Sequence, residues 1–566
     1  VSTVVDSPPH RSPELEPVVG GGEDPVPPSI PGLAGGLITA VARPRALARE
    51  TLHLGRDFAA ILAGTDRFTP AEKDRRFADV AWRTNPAYRR VSQNYLAWVS
   101  ALTRLVDSYA AAGADWRDVE RARFALAALI SGMAPTNTLL GNPAALKHAI
   151  DTGGRSVVRG MGKLIDDLRH NGGLPTQTDR SAYAVGRDLG VSKGAVVYRD
   201  DVIEVLQYAP TTTQVRERPL VIVPPPIGRF YFLDLRPGRS FVEHAVGQGL
   251  QVFMISWRNP TRKQAHWDLD TYAERVRRAI GVAREVTGSP DVNTLGFCAG
   301  GIIQTTLLNH LAALGDESIH SAGYAVTLLD FADRAPLGAF SGKRLVGLAR
   351  GLSQGRGTIS ARSMGATFSW MRPDDLIFNY VVNQWLMGED PPAFDILEWN
   401  ADGTNLPAAL HEQFLRIFQE NTLVRPGAMT VLGTPVDLAS ITVPTFVTGA
   451  ATDHLTPWTG CYRTTQLLSG PSTFVLSNGG HIQSLVNPPG SPRASYWTGG
   501  SADPDPAEWQ ASASQQPGSW WECWASWTIE RAGAEVAAPA TLGSDNHPPI
   551  DDAPGAYVHD RVPHAR

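Results

Sequence analysis

Cysteine is scarce in this chain of 566 residues: only Cys298, Cys461 and Cys523 are present. So small and odd a set does not build a disulfide framework. With no Cys-x-x-Cys spacing, no zinc site is expected, and a reducing cytoplasm is the expected compartment. Lysine is also rare, six of the 51 basic residues, a bias read as codon usage in preference to phosphate or carboxylate clamps. The formal net charge of −5 leaves no positive field to draw nucleic acid. No apolar run reaches the roughly 18 residues a bilayer-spanning helix needs. The opening residues carry no basic segment leading into an apolar core, so no secretory signal is expected.

What is present reads as globular protein, with 43% hydrophobic and 19% charged residues. At ~100–200 residues per domain the length predicts more than one domain. Residues 1–30 and 535–566 are rich in proline, glycine and acid without periodicity, and both read as disordered tails. Residues 31–200 read as an all-helical N-terminal domain. Within it, Asn85-Pro86 is a cap followed by a first-turn proline. Tyr88, Val91, Tyr95, Trp98, Leu102, Leu105 and Tyr109 then recur on one helix face, and Gly113 ends the run. A second helix is predicted from about Asp115.

The period changes from 201 onward. Short β-rich runs at 219–226, 251–257, 292–298, 322–329, 442–450 and 472–477 alternate with helical stretches. Several are apolar throughout, as in a parallel sheet covered on both faces. The stretch between the fourth and fifth runs is too long for an ordinary crossover. It is read as a cap inserted over 332–440, splitting an α/β core into 201–331 and 441–534.

One of the three thiols sits in Gly296-Phe297-Cys298-Ala299-Gly300, between an apolar strand and a helical stretch that ends at Gly315. Gly-x-Cys-x-Gly is the nucleophile elbow of the α/β-hydrolase fold with cysteine in place of serine. The glycines are steric requirements of a sharp strand-to-helix turn. The helix N-terminus favours the thiolate, and the Ala299 amide is an oxyanion donor. The fold's order of nucleophile, acid and histidine selects Asp453 and His481, each just past a predicted strand. His454, beside Asp453, and Asp330, after the fourth run, are the rivals. The second oxyanion donor is expected from Ile227 or Gly228, after the strand PLVIVPPP. No metal or cofactor is called for. A cysteine nucleophile suits thioester exchange, because one thioester replaces another at little cost and the acyl group stays activated.

Many segments carry a family resemblance: DVAWRTNPAYRRVSQNYLAW, PTNTLLGNPAAL, PPPIGRFYFLDLRPGRSFVEH, FMISWRNP, GFCAGG, MRPDDLIFNYVVNQWLMGEDPPAFDILEWNAD, DHLTPW, GGHIQSLVNPP and the closing SWWECWASW. They extend from about 70 to 530, and in them the chain resembles single-subunit polyhydroxyalkanoate synthases. The resemblance implies a Cys-His-Asp triad on an α/β-hydrolase core, acting on (R)-3-hydroxyacyl-CoA with CoA as product. Cys298 would carry the growing polyester as a thioester and His481 would deprotonate the thiol. Asp453 would orient His481 or activate the incoming 3-hydroxyl. A homodimer at the surface of cytoplasmic polyester granules is implied, with the helical N-terminal region linked to both. Short-chain substrates such as 3-hydroxybutyryl-CoA are expected, because the blocks resemble the short-chain class more closely. Two departures stand out: Gly228-Arg229 replaces the family's Asn-Lys, and Ala299 replaces a common valine. The alternatives are a cysteine thioesterase or polyester depolymerase on the same fold, or a non-catalytic granule-associated protein.

Overall fold

The computed structural model describes residues 37–65, 67–332 and 343–560. The tail expected over 1–30 lies outside them. The N-terminal region is helical: α1 (Pro44–Leu62), α2 (Pro86–Ala111), α3 (Trp116–Gly132) and α4 (Arg155–His170). α2 begins at the predicted cap, where Asn85 Oδ1 accepts from the Ala87 N–H at 2.9 Å. Gly113, at φ +81°, lies just past its end. The aromatic face is only partly core: Tyr95 and Leu105 are buried, but Val91 is exposed. α4 buries its small and polar face, Ser156, Gly160 and Asp167.

The sheet begins earlier than expected, at 194 rather than 201. Its eleven strands are β1 (Gly194–Arg199), β2 (Ile203–Tyr208), β3 (Leu220–Val223), β4 (Val252–Trp257), β5 (Val292–Phe297), β6 (Ile319–Ala325), β7 (Thr445–Ala450), β8 (Ser472–Ser477), β9 (Ser495–Thr498), β10 (Ser514–Pro517) and β11 (Asp551–Asp552). The spatial order is β10-β9-β8-β7-β6-β5-β3-β4-β2-β1-β11. The central six, β8 to β4, pair in parallel, and both flanks are antiparallel.

The all-apolar runs have a physical reason. In β3, Val221 and Val223 enter one core cluster while Leu220 and Ile222 enter the other. Both faces are covered, so both sides of each strand must be apolar. One face is closed by α5 (Leu269–Thr287) and α6 (Ala299–Leu314). The other is closed by the 241–247 helix and the tryptophan-rich segment near the C-terminus.

The inserted stretch joins β6 to β7, which are parallel neighbours. It is not wholly a cap. α7 (Ala408–Glu420) places Leu410, Phe414 and Ile417 in the same core cluster as Tyr272 and Val276 of α5. Its apolar face therefore belongs to the core, packed with α5. The earlier part, with two π-helical turns over Asp374–Phe378 and Val381–Leu386, docks on the N-terminal helices. Trp385 Nε1 donates to Asp167 Oδ2 at 2.8 Å.

The C-terminal tail expected over 535–566 is ordered as far as it is described. Strand 535–537 pairs with 214–216, and β11 closes the sheet edge against β1. The buried Glu204 carboxylate accepts the Ala556 and Tyr557 amides at 3.0 and 2.9 Å. Composition misled here because the ordering groups are backbone amides and carbonyls, which any sequence possesses. Upstream of this tail, α8 (Trp520–Ile529) buries Trp520, Trp521 and Trp524.

Candidate active site

Cys298 caps α6 straight out of β5 with φ 49° and ψ −121°, a backbone region that costs a non-glycine residue ~1–3 kcal/mol. The turn is held by the Cys298 N–H donating to the Ala325 carbonyl at 2.9 Å and the Gly301 N–H donating to the Cys298 carbonyl at 3.0 Å. Its glycines are steric necessities. A Cβ on Gly296 would lie 2.6 Å from Gly301 Cα, and one on Gly300 would lie 2.2 Å from the Val223 carbonyl oxygen. The elbow is thus pressed against the end of β3, and the thiol is lifted out, partly exposed.

His481 opens a short helix after β8 and Asp453 follows β7. His481 Nδ1 lies 2.6 Å from Asp453 Oδ2. Cys298 lies beside the ring, close enough for its thiol to contribute to the raised pKa of His481. Asp453 is fully engaged: Oδ1 accepts the Leu455 and Thr456 amides at 2.8 and 3.0 Å, and Oδ2 accepts the Thr456 hydroxyl at 2.7 Å. Both residues are buried. Burial alone would favour a neutral imidazole. The Asp453 carboxylate, its hydrogen bond and the Cys298 sulfur outweigh that and push His481 up to about 10. For Asp453, burial pushes the carboxyl up, but His481 and Thr456 hold it below the ordinary carboxylate value.

The structure thus brings together Cys298, His481 and Asp453. Asp330 lies elsewhere. Its carboxylate accepts from Asn421 Nδ2 at 2.7 Å and pairs with Arg463 at 3.2 Å, so the rival acid is engaged by partners other than the imidazole. His454 faces the site without joining the relay. Burial lowers its pKa, and its charged neighbours are Asp453 and His481 together with Arg372 and Asp375 of the inserted segment.

Of the expected oxyanion donors, the Ala299 amide is the first of α6 and has no intrahelical acceptor. Gly228 is corrected: its N–H donates to Thr404 Oγ1 at 2.9 Å and is not free for a ligand. Ile227 carries the other candidate amide, which makes no hydrogen bond among the described residues.

Sequence reasoning missed three supports. Thr456 lies 3.1 Å from His481 Nδ1 as well as bonding Asp453. A hydroxyl three residues after an acid is a turn signal that could have pointed to it. Trp520 Nε1 donates to the Ser484 carbonyl at 2.8 Å and so braces the His481 helix. Thr404, from the inserted segment, holds the loop after β3, and nothing local in the sequence announces that contact.

Residues 73–245 match a family model described as Poly-beta-hydroxybutyrate polymerase (PhaC) N-terminus. Residues 235–488 match the alpha/beta hydrolase fold. Over 522 residues the chain is 43% identical to Poly(3-hydroxyalkanoate) polymerase 1 of Ectopseudomonas oleovorans, spanning 92% of this chain and 93% of that one. It is also 43% identical over 514 residues to Poly(3-hydroxyalkanoate) polymerase subunit PhaC of Cupriavidus necator, spanning 89% and 86%. Among solved structures, a hydrolase from Pseudomonas aeruginosa aligns with TM-score 0.31 and 15% identity, over 53% of this chain and 94% of that one.

Proposed function

The chain belongs to the poly(3-hydroxyalkanoate) polymerase family, and on that footing we propose that it joins (R)-3-hydroxyacyl-CoA units into polyester through a thioester on Cys298. The observation that supports this reading most is the contact chain from the elbow thiol through His481 to Asp453. His481 takes the thiol proton, and the sulfur attacks the thioester carbonyl. The bond to CoA sulfur breaks, and CoA leaves as the thiol with that proton. The 3-hydroxyl of the next 3-hydroxyacyl-CoA then attacks the acyl-Cys298 and gives its proton to His481 as the bond to the Cys298 sulfur breaks; the chain, now one ester longer and held on CoA, reloads the freed Cys298 with release of that CoA. The oxyanion is stabilised by the Ala299 and Ile227 amides. Because the hydrogen-bonding positions of Asp453 are filled, its role is to orient His481 and stabilise the imidazolium, not to deprotonate the hydroxyl.

In the same reading the chain is divided into a helical N-terminal unit, a split α/β core and an insertion that limits access of water. It acts in the cytoplasm as a homodimer at the surface of its own polyester. Among the described residues no helix is long and apolar enough to cross a membrane. Short-chain units are the proposed substrates.

The test is incubation of the purified protein with 3-hydroxybutyryl-CoA while CoA and product are followed. Polymer is expected. Free 3-hydroxybutyrate as the sole product would establish a thioesterase instead. Cys298→Ala abolishes CoA release, and His481→Gln lowers it by about 10²–10⁴-fold. CoA release surviving in Cys298→Ala overturns the nucleophile assignment. Longer 3-hydroxyacyl-CoA substrates in the same assay test chain-length preference.

A further inference from the structure

Arg229 is a buried cation with no part in the relay described above. It follows directly on the loop that carries the Ile227 amide. One edge of its guanidinium faces the inserted segment, with Nε 3.2 Å from Asp402 Oδ2. The other grips the end of the described chain: Nη1 donates to the Tyr557 carbonyl at 2.9 Å, and Nη2 donates to the Asp560 carbonyl. Its own carbonyl accepts from Trp399 Nε1 at 2.7 Å. Two residues along, the Tyr231 hydroxyl donates to the same Asp402 carboxylate at 3.1 Å. Upstream, Thr404 Oγ1 donates to the Pro226 carbonyl at 2.8 Å and accepts from the Gly228 N–H at 2.9 Å. A Cβ on Gly228 would lie 3.0 Å from the Trp399 ring.

The loop 226–231 therefore has few anchors of its own. Two distant segments fix it: the 399–404 stretch of the insertion, and the C-terminal strap around 557–560. Arg229 touches both of these segments with one side chain. A cation so buried needs its counterion and its carbonyl ligands, so each segment is held to the others by the cost of leaving it unpaired.

From this we infer that Arg229 is a positioning residue for acyl transfer: it ties the C-terminal strap and the insertion to the loop, and so holds the Ile227 amide where the oxyanion forms. The inference rests on the acyl-transfer reading of the site. It also assigns the C-terminal strap a part in turnover, which its composition does not suggest.

Arg229→Gln and Arg229→Lys in the full-length chain test it, with Thr404→Val as a milder variant that removes only a hydroxyl. Four quantities are read: burst rate of CoA release from 3-hydroxybutyryl-CoA, KM, alkylation of Cys298 by iodoacetamide, and thermal unfolding. Alkylation needs the thiolate but no oxyanion hole. In Arg229→Gln the burst rate is expected to fall about ten- to a hundredfold, below the loss from deleting an oxyanion donor outright. KM and alkylation are expected to stay within about threefold of the parent. Arg229→Lys recovers part of the rate, because it keeps the charge facing Asp402. Should Arg229→Gln fail to fold, Thr404→Val carries the test with the same signature at smaller amplitude. An unchanged burst rate in folded variants overturns the inference, and so does a parallel fall in alkylation and burst. A parent chain that alkylates at Cys298 yet releases no CoA overturns the acyl-transfer reading instead.

Discussion

Cys298 occupies a left-handed backbone conformation that only a crowded turn maintains. Gly300 shows how little room there is, since its missing Cβ would fall 2.2 Å from the Val223 carbonyl. Gly300→Ala must push α6 off the end of β3. We expect a loss of roughly 1–3 kcal/mol in urea unfolding from such overpacking, and loss of Cys298 alkylation because the thiol moves away from His481. Full alkylation in that variant would refute the steric account. The His481–Asp453 pair makes a second prediction. His481 is raised from 6.5 to about 10, so its stabilising contribution is complete below pH 6.5 and fades as pH rises through about 10. Asp453 is lowered, so its contribution is present above its ordinary 3.8 and fades as pH falls through the depressed value. Urea midpoints should decline from pH 7 to 10 in the parent chain and decline less in Asp453→Asn. Equal declines would mean that the pair is not ionised as described. The turn that carries Cys298 was legible because an elbow is a local steric pattern. Gly228 misled because its amide is engaged by Thr404, 176 residues away.

At the level of elements, the parallel strands were legible from apolar runs, and their edges were not. β6 runs from Ile319 rather than 322, because His320 and Ser321 look polar in sequence. In the sheet, the Ser321 hydroxyl is satisfied by Asn293 Oδ1 at 2.6 Å, so it is buried without penalty. α7 was assigned to a cap because it lies in the insertion, yet its apolar face is core. α8 supplies a comparative prediction. Trp520 donates to the Ser484 carbonyl, whereas Trp521 buries an Nε1 that finds no partner among the described residues. Trp520→Phe should cost about 1 kcal/mol more than Trp521→Phe in urea unfolding, the worth of a buried hydrogen bond. Only Trp520→Phe should lower turnover, since only Trp520 braces the His481 helix. Equal effects on stability and turnover would refute that brace.

Across the whole molecule, the helical N-terminal region and the insertion hold each other. A Cβ on Gly160 would lie 2.1 Å from the Trp385 carbonyl and one on Gly388 would lie 2.5 Å from the Ser156 carbonyl, so two backbones are in direct contact. Gly160→Val should force them apart. Limited proteolysis should then cut the 171–193 connection faster than in the parent, and the Asp167–Trp385 hydrogen bond should be lost. An unchanged cleavage rate would show that the two regions dock by other contacts. This close approach was invisible in sequence, where Gly160 is one small residue in a helix with no turn to explain it.

Sequence alone determined the elements whose causes are local. The Asn85 cap, the doubly apolar strands and the glycine-framed thiol follow from sterics and periodicity within a few residues. The order Cys298, Asp453, His481 followed from where strands end. Tertiary structure decided what depends on distant partners. It set which acid meets the imidazole, which amide the loop after β3 keeps free, and which part of the insertion is core. It also ordered a tail rich in proline, glycine and acid, because the groups that fix it are backbone amides on Glu204 and carbonyls on Arg229. Such contacts are made by atoms common to every residue, and side-chain pattern carries no record of them.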